Sequence, residues 1–162
     1  MALAAGIVVT FLPSVLTDAS ANLVAVGLLA QAVTAPLARW WAGRYSDRHP
    51  GTPLLAPGVF LAAAGIAVLA VTGHPAAIIA GMLLFGAGFG IAQSASLTSM
   101  LRHVPPASYG TVSAVWNLAY DAGLGLGAAG FGLASARTGY PAALAITTVL
   151  MLVTLTALRW RR

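Results

Sequence analysis

Six long apolar runs, separated by short clusters of proline, glycine and charge, make up most of this chain. The first runs from Met1 to about Leu16, with Pro13 near its end; the second from about Ala21 to Gly43; the third from about Pro53 to Val71. The fourth follows Thr72-Gly73-His74-Pro75 and reaches about Leu101. The fifth covers about 109–134 after RHVPPASYG, and the sixth about 141–158 after SARTGYP. A bilayer core about 30 Å thick takes about 20 residues of α-helix. No run shows the period-two alternation of a membrane barrel, so the pattern predicts an all-α membrane protein with six transmembrane helices. The first span is about 16 residues long, begins at Met1 and has nothing basic at its inner end; it looks cut short.

Polar side chains divide the six spans unevenly. Span three has none, and span six has only threonines, which can bond to their own backbone; both are expected to face lipid. Span two carries Asn22, Gln31 and Thr34, span four Gln93, Ser94, Ser96, Thr98 and Ser99, and span five Ser113, Asn117, Tyr120 and Asp121. Polar groups inside a membrane are kept off lipid, so these three spans are expected to face a cavity or one another. Ser113, Trp116, Asn117, Tyr120 and Leu124 fall on one helical stripe with Asp121 at its edge. One dry span in each set of three implies two three-helix repeats, about 1–73 and 74–162, inverted relative to each other because each has an odd number of helices.

Composition removes the soluble classes. The chain is 59% hydrophobic and 7% charged, with eight arginines, three aspartates and neither lysine nor cysteine; a soluble domain is about 25% charged. A pI near 10.8 suggests nucleic acid only where a basic face exists. Here the arginines stand at the ends of apolar runs, and no nucleic-acid partner is expected. The lack of cysteine excludes disulfides and the usual zinc spacings. The three histidines lie in loops, two of them before proline, so neither a metal nor another cofactor is expected.

Arginine placement sets the orientation. With the loop after span two inside, that side holds Arg39, Arg44, Arg48, Arg102, Arg159, Arg161 and Arg162, and the outside only Arg137. Trp40, Trp41 and Trp160 then lie at the inner interface, Asp18 and His74 face outward, and the C-terminus is cytoplasmic.

Gly125–Gly130, GLGAAG, matches the dinucleotide fingerprint letter for letter, but that fingerprint works only between a strand and a helix. Gly123, Gly127 and Gly130 instead read as a small-residue stripe for close helix packing, as do Gly86 and Gly90 in span four.

The segment Gly43-Arg44-Tyr45-Ser46-Asp47-Arg48-His49-Pro50-Gly51 resembles the G-x-L-x-D-R-x-G-R cytoplasmic loop of the major facilitator superfamily. WNLAYDAGLGLGAAGFGLASARTGYPAAL resembles the eleventh helix of its drug:proton antiporter branch, and GAGFGIAQSAS the tenth. Tyr45 stands where the family favours Leu and Thr52 where it has a basic residue, so only Gly43, Asp47 and Arg48 carry over. The resemblance spans the chain and maps onto helices seven to twelve. It implies half of a twelve-helix transporter in a bacterial plasma membrane, its partner a missing N-terminal half or a second copy.

Two roles stand open for Asp47 and Arg48. Arginines there fix orientation with no further role, whereas the resemblance implies a latch in which the Asp meets a helix start in the opposite half and holds one state of the transport cycle. Asp121 is either a proton carrier or substrate contact, or a structural Asp bonded to a neighbouring helix. Gln31, Gln93, Trp116, Asn117 and Tyr120 are candidates for the substrate and proton pathway. The first functional expectation is a secondary transporter, a proton-coupled exporter of small organic compounds working by alternating access; the second is a non-transporting half-module that needs a partner half or dimerises. An enzyme is not expected, since no Ser/His pair or carboxylate cluster sits within the spans.

Overall fold

The computed structural model describes residues 1–15, 21–49, 53–70 and 74–160, with the side chains of 13–15, 21 and 157–160 left aside. The expected positions of Asp18, of Pro50–Thr52 and of Arg161 and Arg162 lie outside the described residues, as do the side chains of Arg159 and Trp160. The described chain is helical throughout: α1 (Ala2–Val15), α2 (Ala21–Arg48), α3 (Leu55–Ala70), α4 (Pro75–Leu101), a 3-10 turn (Pro106–Ser108), α5 (Tyr109–Thr138) and α6 (Tyr140–Trp160). Among these, Asn22–Arg48 and Pro75–Leu101 are each long and apolar enough to cross a membrane, while Ala2–Leu12, Leu55–Ala70 and Tyr140–Thr156 are shorter apolar helices.

Local chemistry sets the boundaries. Extended His74 (φ −115°, ψ 132°) precedes Pro75, whose fixed φ and missing N–H suit the first helical position. Gly139 ends α5 at φ 77°, a conformation open to glycine, and its N–H bonds the Ser135 carbonyl at 2.9 Å. One boundary differs from expectation. The segment read as a loop from Gly43 is helical to Arg48, so Gly43, Asp47 and Arg48 lie on the last turns of α2. Between Gly43 and Pro50 no residue breaks a helix, and rings at i, i+4 spacing support it: Trp41 stacks on Tyr45 at 5.2 Å and Tyr45 on His49 at 4.4 Å.

Small residues decide which helices meet. Helix α4 carries them on two faces. Gly81, Gly88 and Ala92 interleave with Gly58, Ala62 and Gly65 of α3: a methyl on Gly58 would lie 3.0 Å from the Gly88 carbonyl, and one on Gly81 3.1 Å from that of Gly65. On its other face, Gly86 meets Gln31 of α2 at 3.0 Å and Gly90 meets the backbone of Ala35. Helix α4 is therefore flanked on both sides, and half of its apolar stretch is buried against 11% of that of α2. Phe85, Met82 and Ile66 form the centre of the core.

The same device joins α1 to α5, where Gly6 meets Leu124, Gly123 meets Ala2 and Gly127 meets Leu3. Gly130 departs from the expected stripe: a methyl there meets nothing within 4 Å, because it lines an apolar groove between α1, α5 and α6.

Helix α3 corrects a second expectation. Its dryness predicts a lipid-facing helix, yet Gly58, Val59, Ala62, Ala63, Gly65, Ile66 and Leu69 are buried; the same dryness suits a helix held between α4 and α6. Helix α6 keeps an apolar outer face with Ile146, Val149, Leu150 and Val153 exposed. Thr147 and Thr148 donate to the carbonyls of Ala143 and Leu144 at 2.9 and 3.0 Å, and Thr156 to that of Val153 at 2.7 Å.

Candidate polar site between α2, α4 and α5

The C-terminal halves of α2 and α4 and the N-terminal half of α5 converge on one polar cluster. From α4, Gln93 accepts a hydrogen bond from Arg39 Nη1 of α2 at 3.3 Å and lines one cavity with Tyr120 of α5. One turn on, the Ser96 hydroxyl accepts from the Trp116 indole N–H at 3.2 Å and donates to the Gln93 carbonyl at 3.0 Å. Trp116 and Tyr120, four residues apart on α5, stack with centroids 5.7 Å apart and planes 5° from parallel. The Arg39 guanidinium lies over the Trp116 ring at 6.0 Å, and Phe89 closes on Tyr120 at 6.0 Å. Beside these residues lies a cavity of about 200 Å³ lined by Phe89, Gln93, Ser96, Trp116 and Tyr120, with Met1 and Leu55 opposite. The apolar groove at Gly130 is larger, about 240 Å³, but among its lining residues only Thr147 and Thr154 carry polar side-chain groups, so it offers little chemistry.

Of the expected pathway residues, Gln93, Trp116 and Tyr120 are brought together and three are not. Gln31 packs beneath Gly86, away from the cavity. Asn117 and Asp121 point away from it on the exposed flank of α5. The stripe read as one wall thus splits: Trp116 and Tyr120 turn in against α4, while the next positions round the helix stay open.

Arg39 and Ser96 belong to the cluster and were not among the expected site residues. In the sequence Arg39 bears on orientation alone. Its signal was present: it interrupts the apolar run of span two four residues before Gly43, and a cation inside such a run calls for a partner.

Nearer the end of α2, Arg102 Nη2 donates to the Ser46 carbonyl at 3.2 Å, tying the last turn of α2 to the end of α4. A cation there also meets the negative end of the helix dipole. Arg44 lies over Trp40 at 5.1 Å. Asp47 and Arg48 are exposed, and neither has a side-chain bond among the described residues.

A sequence model of the Major Facilitator Superfamily matches residues 1–162. No curated protein and no solved structure matches the chain.

Proposed function

The chain belongs to the major facilitator superfamily, a family of integral membrane transporters and not of enzymes, and we propose that it forms a six-span half of such a transporter, exporting small organic compounds in exchange for protons. One observation carries this reading. Polar and charged groups of α2 and α5, Asn22, Arg39, Asn117 and Asp121, stand exposed along helices that belong in lipid, where uncovered polar groups are costly. A second half would cover them and enclose a site between the two.

Part of the packing fits an inverted repeat of about 1–73 and 74–162, although the broad α3–α4 seam has no equal between α6 and α1. Helix α2 packs on α4 and α5 on α1, pairings that exchange under such a repeat, and α3 packs on α6, its own counterpart. The large interfaces all join one unit to the other, so the units interlock. In this reading all six helices span, α2 and α4 end inside, and the C-terminus is cytoplasmic. Asp47, exposed at the end of α2, serves as the latch toward the other half. Asp121 carries the proton, since it is acidic, exposed and next to the cavity residue Tyr120. Alternating access then follows from rocking of the two halves about the site.

Reconstituting a dimeric preparation in proteoliposomes with an imposed proton gradient tests this. Substrate-coupled proton movement, lost in Asp121→Asn, is expected. A well-folded dimer that moves neither protons nor compounds would favour the second reading, a half-module that carries nothing without a complementary half. That reading draws on the same uncovered flank of α2 and α5.

A further inference from the structure

Arg39 lies nine residues before Arg48, about 13 Å along α2 from its end. Its guanidinium presents five N–H donors in a planar fork. One reaches Gln93, and the guanidinium carbon lies over the Trp116 ring at 6.0 Å from its centroid. No carboxylate among the described residues bonds it. The platform beneath is held on two sides, by Ser96 through the indole N–H and by Tyr120 through the ring stack. A cation fixed in this way, with most of its fork open and an aromatic-lined cavity beside it, suits a planar anion with an apolar body.

We propose that Arg39, Gln93, Trp116 and Tyr120 form a recognition site for small aromatic monocarboxylic acids. The carboxylate takes the open fork of Arg39, and the ring enters the cavity lined by Phe89, Trp116 and Tyr120. A single negative charge matches the one guanidinium that the cluster offers. That the acid is cargo rests on the transporter reading; that it binds does not.

Benzoate is the simplest probe, with benzamide as its neutral isostere. The purified chain is placed in phosphatidylcholine nanodiscs, which carry no net anionic headgroup, and binding of radiolabelled benzoate is measured by equilibrium dialysis. Saturable binding, competed by unlabelled benzoate and not by benzamide, is expected. Arg39→Gln should weaken it by roughly tenfold or more, as loss of a charge-assisted bond implies, and Arg39→Lys should fall between. Leu118→Ala, at an exposed apolar position of α5, should match the parent. Absence of saturable binding, equal competition by benzamide, or unchanged affinity in Arg39→Gln would each overturn the site. Should Arg39→Gln not fold, the benzamide competition and Arg39→Lys decide. Arg39-dependent binding without benzoate movement in proteoliposomes upholds the site and counts against benzoate-like acids as cargo. Proton-coupled movement of another compound, with benzoate affinity unaltered in Arg39→Gln, removes the site and leaves the transporter.

Discussion

At the scale of single residues, a hydrogen in place of a methyl decides which helices approach. Gly127 and Gly130 lie three positions apart on α5, yet one meets the backbone of Leu3 and the other meets nothing within 4 Å. Gly127→Leu should therefore force α1 away, at a cost of about 1–3 kcal/mol for overpacking, and lower Tm in detergent by roughly 3 to 10 °C. Leu126→Ala, at a side chain 69% exposed, and Gly130→Ala, in open space, should leave Tm nearly unchanged. Equal melting of Gly127→Leu and Leu126→Ala would remove the packing role. The pair also shows what the sequence could not say. Spacing places small residues on a stripe, but whether a neighbour lies over all of it depends on where that helix crosses. Similarly, Asn117 and Tyr120 share a stripe by periodicity, while the packing of α5 on α4 turns only Tyr120 inward.

At the scale of elements, the order, kind and approximate ends of all six helices were legible, because apolar runs of this length between Pro and Gly clusters have few alternatives. The end of α2 was not. A charged segment reads as a loop, but Arg44–Arg48 contains no breaker, and its charges can reach solvent from a helix that continues beyond the apolar core. The orientation of these elements is open to direct test on a cysteine-free background. Single cysteines replacing His74 and Arg137 should react with an impermeant thiol reagent added to intact cells. Cysteines at Arg48, His103 and Arg162 should react only after the membrane is opened. Labelling of position 48 from outside would invert the assignment, and with it the placing of the Arg39 cluster in the inner half.

At the scale of the whole molecule, the two flanks of the bundle are built differently. Helices α3 and α4 bury their small-residue seam within the chain, whereas α5 buries little beyond Gly127 and Phe131 and leaves Leu118, Asn117 and Asp121 open. In the proposed six-span arrangement lipid can cover Leu118 but not Asp121, whose charge costs roughly 2.5 to 3.5 kcal/mol at bilayer depth. Helix α2 shows the same mixture, with Leu29 and Leu37 exposed beside Arg39. Two such flanks on one molecule are what a two-half transporter closes over its site, so the isolated chain should either dimerise through α2 and α5 or lose stability, and should not transport as a monomer. Cross-linking in nanodiscs between single cysteines at Leu118 of two copies should capture the dimer. Asp121→Asn, which removes the most costly uncovered charge, should shift the balance toward monomer and raise its Tm. A stable monomer that cross-links with nothing, or substrate-coupled proton movement from a monomeric preparation, would show that the flanks need no partner and that the half-transporter assignment is wrong.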